Sequence, residues 1–225
     1  MLLLQFSTSH YCRKARLALG YKRIPYRVQN LTPGVHILKL KPLTGLTTVP
    51  VLLPELPDQP EAIADSSRIM AFLDRFQPEP SLMPDDSKLQ TKALSLEDWF
   101  DESIGTATRF IYYQFRANEG KYIDNSLTSQ ILIQVVRRQL GINGATVALA
   151  EARLQIALAK LAQRWPEHDF LIGDRLSRAD LAAAALLSPL ALIPKYQKEY
   201  AWLFEKIAAV HQICGEALPP GLNTH

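Results

Sequence analysis

The sequence predicts an α/β domain built on a mixed sheet, followed by an all-α domain. In the first 78 residues short apolar runs alternate with helical patterns, as expected where helices pack on a sheet. Proline occurs three times in residues 77–86, which predicts a linker at 79–87. From residue 88 onward the periodicity is helical. We therefore expect one domain over residues 1–78 and a second, helical domain over 88–225.

The N-terminal domain is predicted to hold four strands and two helices. The chain opens on the apolar run LLLQF, and the run VPVLL at residues 49–53 is typical of a buried strand bounded by proline. Further strands are predicted at residues 25–31 and 61–64, and helices at 10–21 and 65–76. A strand–helix–strand unit followed by two neighbouring strands and a helix favours a mixed sheet.

Helical periodicity dominates the second domain. It extends over residues 88–117, 126–140, 145–165, 177–193 and 198–214. Within this domain the segment SRAD has the form of an N-capping box, with Asp180 in place of the usual glutamate, in front of an apolar helix. We expect Ser177 and Asp180 to have a structural role at the start of that helix.

Composition argues against several classes of protein. The chain has 225 residues, 48% of them hydrophobic, and a net charge of +3 without a dense basic run, so neither nucleic acid nor a membrane is expected as a partner. The opening MLLLQF is too short for a signal peptide, and the longest apolar stretch, 181–193, is too short to span a bilayer. Two cysteines, Cys12 and Cys214, form no disulfide framework and fit a reducing compartment, so we expect a cytoplasmic protein.

A thiol-related motif, STSHYC, lies between the first strand and the first helix. Ser9 and Cys12 have the spacing of a C-x-x-C redox motif, but serine replaces the first cysteine. At a helix N-terminus the Ser9 hydroxyl can cap the helix, or it can stabilise a thiolate that a ligand supplies. Without the first cysteine dithiol exchange is lost. Cys12 is therefore expected to be a small buried residue, and the neighbouring His10 a surface imidazole.

Two further motifs indicate a ligand site beside the predicted sheet. Val49-Pro50 leads into a buried strand, and a cis bond there would leave the backbone N–H and C=O of Val49 free to face a ligand. Asp65 and Ser66 precede a helix, which they can cap. The same pair suits a ligand with both charges, with Asp65 on its ammonium group and Ser66 with its N–H on its carboxylate.

Four segments follow one another along the chain: STSHYCRKARLAL, TGLTTVPVLL, IADSSRI and FLIGDRLSRADL. In this order they make the sequence similar to the cytosolic glutathione S-transferases with a serine-type active site. The resemblance extends over essentially the whole chain, and SRAD matches the folding signature of the family's C-terminal domain. It implies a thioredoxin-like N-terminal domain and an all-helical C-terminal domain, the glutathione transferase fold. It also implies a homodimeric enzyme with a role in detoxification.

The resemblance implies a site for glutathione as co-substrate, with Ser9 in the position of the activating, catalytic hydroxyl. A basic residue before the proline strand would meet the glycyl carboxylate, and Lys39 is the first candidate, with His36 next. The implied glutathione-binding residues are Ser9, Lys39, Thr48, Val49, Pro50, Asp65 and Ser66. The implied second-substrate pocket consists of Tyr11, Trp99, Arg109, Tyr112 and Tyr113, and no metal is expected.

Three classes of function stay open on this resemblance. The first is transfer of glutathione to a small hydrophobic electrophile, or reduction of a peroxide, by a thiolate whose pKa the enzyme lowers. The second uses glutathione as a cofactor in isomerisation, dehalogenation or ether cleavage, and basic side chains in the second pocket would favour it through an acidic substrate. The third is a non-catalytic protein that binds glutathione, another ligand or a partner. Ser9 argues against a thioltransferase or a dehydroascorbate reductase.

Overall fold

The computed structural model describes residues 1–222 and confirms the predicted fold class. The N-terminal part consists of β1 Leu2–Gln5, α1 His10–Tyr21, β2 Arg27–Asn30, α2 His36–Thr44, β3 Val51–Leu53, β4 Ile63–Ala64 and α3 Ser66–Phe76. The helical part consists of α4 Ser87–Asp98, α5 Gly105–Ala117, α6 Leu127–Gln139, α7 Gly144–Ala162, α8 Arg178–Leu187, α9 Pro194–Glu199 and α10 Ala201–Ile213. Short helical turns lie at Trp99–Ile104, Glu119–Ile123, Trp165–Glu167 and Ser188–Leu192.

The sheet is mixed, with strand order β2-β1-β3-β4. β1 pairs in parallel with β2 and antiparallel with β3, which pairs antiparallel with β4. Successive residues of a strand point to opposite faces, and the neighbours Leu3 and Leu4 of β1 are both fully buried. The central strand is therefore covered on both faces, and its C-terminal end leads into the loop that carries Ser9.

One apolar core joins the N-terminal helices to the helical part. Leu17 of α1, Phe72 of α3 and Leu186 of α8 belong to the same buried cluster. The two parts approach closely at Gly20 in α1, where a Cβ atom would lie 2.1 Å from the carbonyl oxygen of Cys214. A side chain of any size would collide with that backbone, so this contact requires glycine.

The predicted capping box of SRAD is confirmed at the start of α8. The carboxylate of Asp180 accepts hydrogen bonds from the N–H and the hydroxyl of Ser177, at 2.9 and 2.8 Å, and from the N–H of Leu171 at 2.7 Å. Ser177 and Asp180 are both fully buried. Burial raises the pKa of Asp180, against the opposing effect of these hydrogen bonds. The box therefore has the structural role that its sequence indicates.

Two helical features differ from the prediction. Helix α2 was not predicted, because Pro33 and Gly34 come just before it, Pro42 lies inside it, and it buries only Leu40. The helical segment predicted at 88–117 is divided by a π-helical turn, in which the N–H of Gly105 donates to the carbonyl of Phe100 five residues back.

Candidate functional site

A cavity of about 850 Å³ lies between the N-terminal part and helices α5 and α6. We call it the large cavity. Its N-terminal side is formed by Phe6, Thr8, Ser9, His10, Tyr11, Pro33, Gly34, His36, Ile37, Thr47, Thr48 and Val49. Its helical side is formed by Arg109, Tyr112, Tyr113, Thr128, Ile131, Leu132, Val135, Val136, Gln139, Leu140 and Pro189. It thus brings together Ser9 and most of the residues predicted for a second substrate.

Ser9 is positioned by the turn between β1 and α1. Its N–H donates to the carbonyl of Phe6 at 3.0 Å, and its extended backbone makes it the N-cap of α1. The hydroxyl oxygen accepts the N–H of Cys12 at 3.3 Å, as a capping serine does. A hydroxyl that accepts from the backbone keeps its own proton to donate, and the positive end of α1 lies behind it.

Cys12 is fully buried and does not line the large cavity. Burial raises the pKa of its thiol, while Ser9 and the backbone of Phe6 act in the opposite direction. The thiol is therefore kept protonated and away from ligands, and Cys12 is a buried packing residue as expected.

The expectation that His10 is a surface imidazole is wrong. The side chain lines the large cavity and is only 7% exposed, and its Nε2 atom is buried without a hydrogen-bond partner. Burial, followed by the charges of Arg109 and Arg13, lowers its pKa to about 3. The ring beside Ser9 is therefore neutral at physiological pH. Nothing in the pattern STSHYC distinguishes an inward from an outward imidazole at the first position of a helix.

The loop before β3 contributes backbone to the large cavity. The Val49–Pro50 bond is cis, and Thr48 and Val49 line the cavity, whereas Pro50 is buried and does not. His36 also lines the cavity, but both nitrogens of its ring contact the protein backbone. Nδ1 accepts the N–H of Gly34, and Nε2 lies 3.0 Å from the carbonyl oxygen of Thr47.

Lys39 lies outside the large cavity. Its Nζ atom donates to the side chain of Gln29 in β2, and both residues are exposed. The structure thus brings His36, and not Lys39, to the same space as Ser9.

Asp65 caps helix α3 and borders a second, smaller cavity. Its carboxylate accepts the N–H groups of Ser67 and Arg68 at 2.9 and 3.1 Å, and its φ of 78° is unusual for a residue with a side chain. The small cavity, about 440 Å³, is lined by Tyr11, Asp65, Ser67, Leu94, Glu97, Asp98, Asp101, Glu102 and Arg178. Ser66 is buried and lines neither cavity, whereas Ser67 lines the small cavity, where its hydroxyl contacts the carboxylates of Glu97 and Asp101. Tyr11 borders both cavities.

A buried ion cluster, absent from the sequence predictions, forms part of the wall of the small cavity. Lys14 of α1 is fully buried and donates to Ser67, Glu97 and Asp101. Burial alone would raise the pKa of Glu97, but Lys14 and Arg178 hold it below its ordinary value. Burial keeps the pKa of Asp101 raised in spite of Lys14. The sequence held one signal for this cluster, the position of Lys14 on the apolar face of a predicted helix. A lysine that is buried there needs a carboxylate partner.

The second-substrate residues are divided by the structure. Arg109, Tyr112 and Tyr113 of α5 line the large cavity together with Tyr11, whose hydroxyl donates to the carbonyl of Asp101 at 2.6 Å. Trp99 lines neither cavity and packs against Phe100 and under the Nζ atom of Lys160. The sequence did not predict that aliphatic residues of α6 line the large cavity. The available signal was the segment LTSQILIQVV, which has more apolar residues than one helix face can bury.

No helix within residues 1–222 has the length and apolar character needed to cross a membrane. No three His, Cys, Asp or Glu side chains of the same residues are grouped so as to hold a metal ion.

Residues 3–81 match the family described as the glutathione S-transferase N-terminal domain. Among curated proteins, the chain is 28% identical over 183 residues to FtsZ-localized protein A of Caulobacter vibrioides, covering 78% of this chain and 71% of that protein.

Two solved structures show the same fold. One is a glutathione S-transferase of Methylobacterium radiotolerans in complex with glutathione sulfonate, with a TM-score of 0.73 and 21% identity over 100% of this chain and 97% of that one. The other is a beta-etherase of Sphingobium, with a TM-score of 0.73 and 17% identity over 96% of this chain and 99% of that one.

Proposed function

We propose that this chain, whose residues 3–81 match the glutathione S-transferase N-terminal domain, is a glutathione transferase in which Ser9 stabilises the thiolate. The observation that carries the proposal is the position of Ser9, at the N-cap of α1 and on the wall of the large cavity. Serine at this point supplies a hydroxyl and the helix supplies a positive end, which together favour a thiolate.

Glutathione would lie along the N-terminal wall of the large cavity. Thr48 and Val49 offer backbone groups there to its cysteinyl part, next to Ser9. Asp65 borders the small cavity, which shares Tyr11 with the large one, and it is proposed to hold the γ-glutamyl ammonium group there. Its unusual φ of 78° supports a functional role, since such backbone conformations cluster at ligand sites. The proposed contacts of Lys39, Pro50 and Ser66 rest on the family resemblance alone.

The chemistry proposed is attack of the thiolate on an electrophilic carbon. A free thiol with a pKa near 8.5 is only a few per cent ionised at neutral pH, and a fall of about two units would make most of it thiolate. The sulfur forms a bond to carbon, and the leaving group departs with the electron pair of the bond it loses. Tyr112, Tyr113 and the aliphatic side chains of α6 offer an apolar wall for the electrophile.

Two alternatives have their own support. Ether cleavage or isomerisation with glutathione as cofactor is favoured by the structural likeness to a beta-etherase and by Arg109 in the cavity wall. A non-catalytic role in binding a partner is favoured by the sequence likeness to FtsZ-localized protein A. Reduction of a peroxide would use the same thiolate.

The remaining expectations belong to the same proposal. They are a homodimer, a cytoplasmic location, a role in detoxification, and domains at 1–78 and 88–225 with a linker at 79–87. Light scattering on the purified chain measures the mass of the assembly, and limited proteolysis tests the linker.

The test is glutathione binding and turnover in wild type and Ser9→Ala, with a panel of halonitroarenes, enones, aryl ethers and hydroperoxides. We expect Ser9→Ala to lower kcat/KM roughly 10- to 100-fold, because a hydrogen bond to a charged group contributes about 1.5–3 kcal/mol. Ser7→Ala is the matched control, since Ser7 is exposed and outside the large cavity.

Full activity of Ser9→Ala on every substrate that the wild type turns over would show that the assignment of Ser9 is wrong. Glutathione binding without turnover on any substrate of the panel would favour the non-catalytic alternative. Absence of glutathione binding would contradict the proposal as a whole.

A further inference from the structure

We propose that Arg109 forms an anion subsite in the large cavity, which selects co-substrates that carry a carboxylate next to an apolar or aromatic body. The inference rests on the proposed function and specifies the substrate class for the second pocket. It makes Arg109 a specificity-determining residue and assigns it no part in activating the thiol.

The charge distribution of the cavity wall is the first argument. Of the described residues that line the large cavity, Arg109 is the only lysine, arginine, aspartate or glutamate. No carboxylate within residues 1–222 lies at ion-pair distance from it. The wall therefore has a full positive charge without a protein counter-charge.

The state of the guanidinium is the second argument. Its Nε atom is buried and has no hydrogen-bond partner in the described part of the chain. Its nearest compensation is the ring of Tyr11, whose centroid lies 5.8 Å from Cζ of Arg109, and this cation–π contact leaves the N–H donors unused. A carboxylate is the group that a guanidinium fork binds best, through two parallel hydrogen bonds.

The surroundings of Arg109 define the rest of the ligand. Tyr112 and Tyr113 follow on the same helix with ring centroids 5.4 Å apart, and Ile131, Leu132 and Val135 of α6 also line the cavity. These side chains offer contacts to rings and aliphatic carbons but no charge. A wall with one cation among apolar side chains is suited to a ligand that has a carboxylate attached to a hydrophobic group.

Glutathione also carries carboxylates, so the experiment has to separate the two sources. Arg109 belongs to α5, on the helical side of the large cavity, and its guanidinium reaches Tyr11, close to the Ser9, Thr48 and Val49 wall where glutathione is proposed to bind. If Arg109 served glutathione, its loss would weaken glutathione and all co-substrates alike. If it serves the co-substrate, its loss affects acids alone.

The experiment is calorimetric binding of a chloronitrobenzoate and the corresponding chloronitrobenzamide, which differ only in the charged group. Each probe is titrated with and without saturating S-methylglutathione, which occupies the glutathione site and cannot react. We expect wild type to bind the acid at least tenfold more tightly than the amide. Arg109→Gln should abolish that preference, and Arg109→Lys should keep part of it.

Arg153→Gln is the matched control, because Arg153 is an exposed arginine of α7 outside the large cavity. It should bind both probes as the wild type does. Equal binding of acid and amide to wild type, or no binding of either, would overturn the proposal, as would a preference that persists in Arg109→Gln. A loss of glutathione affinity in Arg109→Gln with the preference unchanged would assign the arginine to glutathione instead.

The readout also separates this inference from the proposed function. Binding is measured without turnover, so an inactive protein can still show the preference for the acid. If wild type shows that preference while glutathione does not bind, the transferase proposal fails and the anion subsite stands. If Arg109→Gln fails to fold, wild type and Arg109→Lys still decide the question through the ratio of the two affinities.

Discussion

The Nζ atom of Lys14 lies 2.7 Å from a carboxylate oxygen of Glu97, with 0% and 4% of the two side chains exposed. Lys14 belongs to α1 and Glu97 to α4, so the ion pair crosses between the N-terminal and helical parts. Asp101 and Arg178 extend it into a buried cluster of alternating charge. The cluster fixes α1, whose N-cap is Ser9, relative to the helical part that forms the other wall of the large cavity.

Lys14→Met should destabilise the protein by roughly 3 kcal/mol or more, because it leaves two buried carboxylates with less compensation. Lys88→Met is the control, since Lys88 is an exposed lysine of α4, and it should change the free energy of unfolding by less than about 0.5 kcal/mol. Urea unfolding of the three proteins measures the difference. Equal stability of the two variants would contradict the assigned role of the cluster.

Protonation of His10 should make the protein less stable in acid. Its pKa is about 3 in the folded protein against an ordinary 6.5, so between these values the unfolded chain binds more protons. The free energy of unfolding therefore falls as pH drops from 6.5 towards 3, by about 2 kcal/mol at pH 5 from this group. His211, with a pKa lowered to about 4 by burial and then by Arg13 and Arg16, acts in the same direction.

The measurement compares urea unfolding at pH 7.5 and pH 5 in wild type, His10→Asn and His168→Asn. His10→Asn should lose about 2 kcal/mol less stability on acidification than the wild type does. His168 is exposed, so His168→Asn should behave like the wild type. The same loss in all three proteins would mean that His10 is not the neutral, buried group described above.

Gly20→Ala should destabilise the protein by roughly 2 kcal/mol or more, although alanine is the better helix former. The added Cβ would lie 2.1 Å from the carbonyl oxygen of Cys214, and backbone cannot move aside as a flexible side chain can. Gly144→Ala in α7 is the matched control, because a Cβ there meets no atom within 4 Å. Thermal unfolding should show a lower midpoint for Gly20→Ala alone, and matching midpoints would argue against the close contact.

Local sequence signals predicted most elements of the fold, since their physical causes are local. Ser9, Asp65 and Ser177 each cap a helix, and the alternating apolar runs gave the strands. Helix α2 has no such signal, because proline lies inside it and it buries a single side chain. The π-helical turn depends on packing between distant helices, which no short motif encodes.

The candidate site was predicted where its residues lie on turns and missed where they come from distant helices. Ser9 and Val49 are adjacent to recognisable turns, and both line the large cavity. The inward direction of His10 and the aliphatic wall of α6 follow from tertiary packing. Trp99 and Arg109 belong to one predicted segment, yet only Arg109 lines the cavity, since Trp99 packs against Phe100 and Lys160 instead.

The π-helical turn at Trp99–Ile104 sets the angular phase of α5. An α-helix advances by about 100° per residue, so the extra residue of a π turn rotates everything after it by about that amount. Glu97, before the turn, faces Lys14 in the buried cluster, and Arg109, after it, faces the large cavity. Glu97 and Arg109 would differ in direction by about 120° on a regular α-helix, and the turn reduces that difference to about 20°. Both side chains therefore face α1, where Glu97 pairs with Lys14 and Arg109 lies over the ring of Tyr11.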